Sequence, residues 1–175
     1  MFSKQYTSLK AASYGLLLVL CYLLQSVPAL GLRFMDKAPE LLLVLCICVA
    51  YYESETFSAF FGLAAGLLND VITDSIVGKS AIIFMFTAFF ISILLQTLLR
   101  NFFLTYIFMT LGVVLVFLFL EYIFNLLFFG QIPFTLALTK IILPKFFFTG
   151  VLAYPVYFIV KLMNNKLWPG GEQIL

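Results

Sequence analysis

The chain has 175 residues, of which 64% are apolar and only 10% charged, and its formal net charge is +2. Soluble domains carry roughly 25% charged residues, because they must keep a hydrated surface. With a mean hydropathy of +1.14, this composition excludes a soluble globular protein. The small net charge and the lack of a basic stripe also exclude a nucleic-acid-binding protein. The length favours one transmembrane domain over residues 1–175, with the lipid bilayer as its solvent.

Charged residues and turn formers divide the sequence into six apolar segments. They cover residues 11–32, 39–52, 57–73, 80–99, 102–129 and 136–163. A bilayer core of roughly 30 Å needs about 20 helical residues, and the first, fourth, fifth and sixth segments provide them. The two shorter segments predict either two thin spans or a re-entrant hairpin with Glu53 and Glu55 at its tip. Two spans are favoured, because carboxylates without partners at mid-membrane would be costly. The sequence therefore predicts an all-α integral membrane protein with about six transmembrane helices.

Six spans place both termini on the same side of the membrane. A cytoplasmic location for both termini puts the larger share of the basic residues inside, in keeping with the positive-inside rule. The residues 27–29, Val-Pro-Ala, weakly resemble a signal-peptidase site, but we expect the first helix to be retained. The basic residues on the predicted inner side are Lys4, Lys10, Arg100, Lys161 and Lys166, and those on the outer side are Arg33, Lys37, Lys79 and Lys140.

Residues that carry catalysis or bind metals are scarce. Histidine is absent, and the three cysteines, Cys21, Cys46 and Cys48, all lie in apolar runs where small packing residues are expected. Zinc sites need four nitrogen or sulfur ligands, which one Cys-x-Cys pair does not supply. Nucleophile-elbow, phosphate-loop and dinucleotide-binding patterns are also absent from the sequence. We therefore expect no catalytic site, no cofactor and no metal.

The third segment carries a stripe of small and polar residues. Gly62, Gly66 and Asp70 recur every four residues and therefore share one face of a helix. Two glycines at this spacing allow the backbone of a neighbouring helix to approach closely. The stripe predicts a packing seam with a polar cap, and the alternatives are a site for a cation or polar ligand and a contact with a partner protein.

Two ionisable residues lie well inside apolar segments. Glu121 is about eight residues from the end of the fifth segment, and Lys145 about nine from the start of the sixth. At 1.5 Å per residue, both lie roughly 12–14 Å deep on adjacent antiparallel helices. Each charge alone would cost several kcal/mol in lipid, so we expect them to form a buried ion pair. The functional alternative is a proton or substrate relay.

The order of several motifs resembles that of the MreD family of rod shape-determining proteins, from about residue 39 to residue 166. Pro39 and Glu40 are similar to the Pro-Asp/Asn opening of the family's second helix, although Glu40 replaces the more usual residue. Asn69 before Asp70 is a second departure, and Lys145 matches no motif of the family. The other matching elements are Gly62, Gly66, Leu67, Leu68 and Asp70 in the third helix, Gly78 after a short loop, Arg100-Asn101 at the fourth-helix exit, Glu121, and Gly150-Val151-Leu152-Ala153-Tyr154-Pro155 in the last helix.

This resemblance implies a non-enzymatic scaffold of the cell-elongation machinery in the cytoplasmic membrane of a rod-shaped bacterium. Such a protein would bind the bitopic protein MreC directly. Through MreC it would act with the actin-like MreB and with the glycosyltransferase–transpeptidase pair that builds side-wall peptidoglycan. The resemblance also implies helix-packing or partner contacts at Gly62, Gly66, Asp70, Gly78, Gly150 and Pro155.

Members of the family are expected to share the six-helix fold of the substrate-binding subunits of energy-coupling-factor transporters. A vitamin-binding subunit of such a transporter is therefore the alternative function. That function needs an Ala-x3-Ala-type coupling face on the first helix. Here the small residues Ala11, Ala12 and Gly15 stand only at the start of that helix, which weakens the alternative.

Overall fold

The computed structural model describes residues 2–26, 39–73, 76–98, 103–129 and 134–167, which form helices and short turns and contain no strand. The last helical segment is continuous, because a π-helical turn, Leu138–Ile142, joins its first turn to its long part. The helices are α1 (Phe2–Ser26), α2 (Leu41–Tyr52), α3 (Glu55–Ile72), α4 (Lys79–Leu98), α5 (Phe103–Phe129), α6 (Phe134–Ala137) and α7 (Leu143–Leu167).

Several helix ends differ from the sequence-based segments. The first helix begins at Phe2, before the predicted start at residue 11, and α2 begins at Leu41, after the predicted start at residue 39. Residues 53–56 separate the second and third predicted segments, but the turn between the helices is only Glu53 and Ser54, because Ser58 N–H bonds to Ser54 C=O and starts α3. The predicted features at residues 27–29 and 100–101 lie outside the described residues.

Helix α2 is the centre of the bundle. Every residue from 41 to 50 is buried, and the helix contacts α1, α3, α4, α5 and α7. A helix that is apolar on all sides is buried on all sides, and this one is a continuous run of Leu, Val, Ile, Cys and Ala. Its 12 residues span only about 18 Å, less than the bilayer core of roughly 30 Å. The surrounding helices are longer and shield it from the exterior.

Two stretches of the described helices, Tyr106–Phe124 in α5 and Leu138–Asn164 in the last helical segment, are long and apolar enough to cross a membrane. Shorter apolar stretches lie in α1, α2 and α4. Helices α3 and α4 form the most extensive helix pair in the described part of the chain. They are connected by a short turn, so they pack as an antiparallel hairpin against one side of α2.

Candidate functional site

The glycine stripe predicted on the third segment packs inside the protein. A Cβ added at Gly62 would lie 2.6 Å from the carbonyl oxygen of Phe84, and one added at Gly66 would lie 2.5 Å from that of Ser80. Carbon and oxygen atoms cannot approach so closely, so only glycine permits this distance between the two backbones. The seam therefore joins α3 to α4, and this face of α3 is already occupied by the chain itself.

Asp70 holds the turn at the end of this seam. Its Oδ2 accepts a hydrogen bond of 2.7 Å from Gly78 N–H, and its Oδ1 accepts one of 2.9 Å from Ser80 N–H. These amides stand at the start of α4, where backbone N–H groups have no partner within the helix. Gly78 has a φ of +97° and open space around its Cα, so it makes the turn and lies on no helix-packing face. Asp70 acts as the cap of α4.

A buried chain of polar side chains runs beside Asp70 and links four helices. Gln25 on α1 donates a 2.9 Å hydrogen bond to Asn69 on α3 and accepts one of 3.3 Å from Leu42 N–H at the start of α2. Asn69 in turn donates to the hydroxyl of Ser80 on α4 at 3.4 Å. Buried amides that are left unpaired cost several kcal/mol in lipid. This network satisfies them and fixes the relative positions of α1 to α4.

The structure brings Glu121 and Lys145 together and adds a third member, Glu40. Lys145 Nζ lies 3.1 Å from Glu121 Oε2 and also contacts Glu40 Oε1. The three residues come from α5, from α7 and from the residue that precedes α2. We call Glu40, Lys145 and Glu121 the charge cluster. It joins the central helix to the two long apolar helices.

Glu40 is the most enclosed member of the charge cluster. Its side chain is 1% exposed, while that of Glu121 is 19% exposed. Its own N–H donates to the hydroxyl of Thr149 on α7 at 3.2 Å. Its Oε2 atom is buried and has no hydrogen-bond partner. The start of α2 is therefore bound to α7 through both the backbone and the side chain of Glu40.

The last two predicted positions, Gly150 and Pro155, lie on α7. A Cβ added at Gly150 would lie 3.0 Å from the terminal carbon of Leu111 on α5, so this glycine allows α5 and α7 to pack closely. Pro155 lies inside α7 with an exposed ring.

The sequence matches the family model of the rod shape-determining protein MreD over residues 7–167. The chain belongs to the MreD family. Neither a curated protein nor a solved structure matches it. The family assignment makes the chain a membrane protein with a role in determining rod shape, and the two long apolar stretches of α5 and the last helical segment agree with it.

A second group of polar residues in this MreD-family chain surrounds the other end of α2. Glu53 Oε1 lies 2.5 Å from Lys10 Nζ and accepts a 2.9 Å hydrogen bond from the hydroxyl of Tyr14. The backbone oxygen of Glu53 accepts a hydrogen bond of 2.9 Å from Ser92 on α4. Lys10, Tyr14, Glu53 and Phe57 are among the residues that line a cleft of about 410 Å³. Glu53 therefore ties α1 and α4 to the turn between α2 and α3.

The three cysteines are buried and carry no disulfide. Cys48 on α2 lies with its sulfur 2.8 Å from the hydroxyl oxygen of Tyr106 on α5. Within the described part of the chain, no three His, Cys, Asp or Glu side chains are placed to hold a metal ion.

Sequence reasoning did not identify the structural parts played by Glu40, Gln25 and Asn69. Glu40 was recognised only as a motif residue, because its distance along the chain from Lys145 gives no sign of contact. Gln25 lies in a predicted membrane segment, and a polar amide between apolar residues is a signal that it faces a polar partner. The identity of that partner depends on helix packing.

Proposed function

We propose that this chain is a non-enzymatic membrane scaffold of the bacterial cell-elongation machinery. In this function it binds MreC directly and, through MreC, supports MreB and the glycosyltransferase–transpeptidase pair in side-wall peptidoglycan synthesis. The observation that carries the proposal is the match to the MreD family over residues 7–167. The pattern of polar contacts supports it, because Asp70, Asn69 and Gln25 bond to the chain's own backbone and side chains.

The surface that contacts MreC is expected to lie away from the glycine seam. Gly62 and Gly66 are in contact with α4, so a partner helix has no access to them. A transmembrane partner contacts the outward faces of the helices instead. Leu16 on α1 and Phe108 on α5 are each 71% exposed and mark two such faces.

Site-specific photo-crosslinking in cells tests this proposal. A photoreactive residue is placed at Leu16 or Phe108, and as a matched control at Ala65, which is fully buried. We expect adducts with MreC from at least one outward face and none from Ala65. A scan of all the outward faces that produces no MreC adduct, in cells where the protein restores rod shape, would contradict direct binding.

Purification from native membranes in mild detergent distinguishes the scaffold from an enzyme and from a vitamin-binding transport subunit. The scaffold should co-purify with MreC and should neither hydrolyse nucleotides nor alter lipid-linked cell-wall precursors. Turnover that is lost in Glu53→Gln or Glu55→Gln would indicate an enzyme. A vitamin bound in equimolar amount would indicate a substrate-binding transport subunit, with the helix arrangement of energy-coupling-factor transporters.

We further propose that the chain crosses the cytoplasmic membrane six times as one domain, with both termini in the cytoplasm. The excess of basic residues on the proposed inner side supports this orientation. Single cysteines introduced at Ser3 and Gln173, in a background with the natural cysteines replaced, should react with a membrane-impermeant reagent only after the cells are opened. Labelling of either position in intact cells would contradict six spans.

A further inference from the structure

The charge cluster contains two carboxyl groups but only one ammonium group. Lys145 Nζ contacts both Glu40 and Glu121. Among the described residues, the positive charge of Lys79, at the start of α4, also acts on Glu40, but it lies outside the three side chains in contact. With both carboxyl groups ionised, the three contacting side chains would carry a net charge of −1 between apolar helices. Opposite charges in a low-dielectric interior are stable only when they are balanced and hydrogen-bonded.

The surroundings of Glu40 favour a neutral carboxyl group. Glu40 precedes α2, where helix amides often bond to a carboxylate, but its side chain makes no such bond. The Leu42 amide donates to Gln25 instead, and the Glu40 amide donates to Thr149. The Oε2 atom therefore has no donor to compensate a negative charge. An ionised oxygen without a donor costs far more than a neutral carboxyl group in the same place.

We propose that the charge cluster of Glu40, Lys145 and Glu121 is a proton-binding site that holds one proton on its two carboxyl groups. A proton from water adds to a carboxylate oxygen and forms an O–H bond, and no electrons are transferred. The cluster is then neutral, with one ammonium, one carboxylate and one carboxylic acid. A proton is the occupant that fits, because Glu40 Oε2 is shut off from the surface and a larger cation cannot reach it.

Proton binding at this place is coupled to helix packing. Glu40 and Thr149 bind the start of α2 to α7, and Glu121 extends the contact to α5. When the proton leaves at alkaline pH, the surplus negative charge lies at this junction and weakens it. The packing of α2 against α5 and α7 is therefore strongest while the proton is bound and is weakened as the pH rises through the point of its release.

Infrared spectroscopy of the purified chain in lipid counts the proton directly. A buried carboxylic acid has a C=O stretching band that is separate from those of carboxylates and amides and that shifts in D₂O. At neutral pH, we expect the wild-type protein to show this band. In Glu40→Gln and in Glu121→Gln, the area of the band should decrease by the amount that corresponds to one protonated carboxyl group. Either variant leaves one carboxylate to pair with Lys145, so no proton is needed. Glu55→Gln, in the first turn of α3, is the matched control and should keep the band.

The variant Lys145→Met adds an opposite expectation. Without the ammonium, both carboxyl groups should take up a proton, and the band should gain area. Retention of the wild-type band in either Glu40→Gln or Glu121→Gln would overturn the proposal. A protonated carboxyl group would then remain although the loss of one carboxyl group had already balanced the charge of Lys145.

The pH dependence of thermal stability is the second measurement, and it uses the unmodified protein. An unfolded glutamate releases its proton near pH 4–5, so a proton that the folded protein keeps at neutral pH makes the wild-type midpoint fall as the pH rises from about 5 through neutral. Glu40→Gln should be flatter over this range. The opposite pattern would overturn the proposal. In that pattern, the wild-type midpoint does not change between about pH 6 and pH 8 and the Glu40→Gln profile is no flatter than that of wild type, as expected if both carboxyl groups were ionised in the folded and the unfolded state.

Discussion

A methyl group added at Gly66 is a direct test of the packing between α3 and α4. In Gly66→Ala the new Cβ would lie 2.5 Å from the Ser80 carbonyl oxygen and against the Ala81 backbone, while ordinary contacts begin at 3.4 Å. The start of α4 must therefore move by about 1 Å, because backbone atoms, unlike the end of a flexible side chain, cannot turn aside. That movement also stretches the hydrogen bond from Ser80 N–H to Asp70.

The expected cost follows from these opposing terms. Overpacking of this kind costs about 1–3 kcal/mol, and a weakened hydrogen bond to a charged group adds roughly 1 kcal/mol. The replacement of glycine by alanine inside a helix returns up to about 1 kcal/mol. The net loss is about 1–3 kcal/mol. Gly112→Ala on α5 is the matched control, because a Cβ there meets nothing within 4 Å.

The assay is the thermal midpoint of the detergent-solubilised protein, followed by fluorescence-detected size-exclusion chromatography, with cell shape as a second readout. We expect Gly66→Ala to lower the midpoint by several degrees and Gly112→Ala to leave it unchanged or to raise it. Equal midpoints for the two variants would refute the reasoning, since α3 and α4 would then have room for a side chain at the seam.

Three further variants test the polar contacts, each by the same thermal assay. Asp70→Asn, which can no longer accept both amide hydrogen bonds at the start of α4, should cost about 1–3 kcal/mol, and a wild-type midpoint would contradict the capping role. Gln25→Leu removes the acceptor of the Leu42 amide and should cost a similar amount, and a wild-type midpoint would show that the network does not persist in lipid. Lys145→Met should lower the midpoint clearly more than Lys140→Met, whose side chain is exposed. The loss of stability has an upper limit of about 3–5 kcal/mol, because proton uptake relieves the unpaired carboxylates. Equal effects of the two variants would show that the charge cluster does not stabilise the bundle.

The polar contacts have a shared consequence for a scaffold protein. The Gln25 network and the charge cluster bind the central helix to elements distant in sequence, and the Asp70 cap binds the end of α3 to the start of α4. In a membrane, where the hydrophobic effect does not drive helices together, such contacts and close glycine packing are what fix one arrangement. We infer that these residues keep the outward faces in a constant position for a partner.

The local features of the chain were predictable from the sequence. Apolar runs of the required length gave the helices, because the chain in lipid must satisfy its backbone hydrogen bonds internally. The spacing of Gly62, Gly66 and Asp70 placed them on one helix face, and depth counting placed Glu121 and Lys145 at one level. Helix ends were predicted less well, since the turn between α2 and α3 is shorter than the polar residues there suggest.

The partners of those features were decided by the tertiary structure alone. The sequence required that a helix pack against Gly66, because a glycine face favours close contact with a neighbouring helix in a membrane. It also required that Lys145 face a carboxylate, because an unpaired charge is costly in lipid. Which helix fills the seam, and that Glu40 joins the pair from a position 105 residues away in sequence from Lys145, depend on how the helices pack around α2. Side chains distant in sequence meet only when packing has fixed the position of every helix, and periodicity within one helix carries no information about its neighbours.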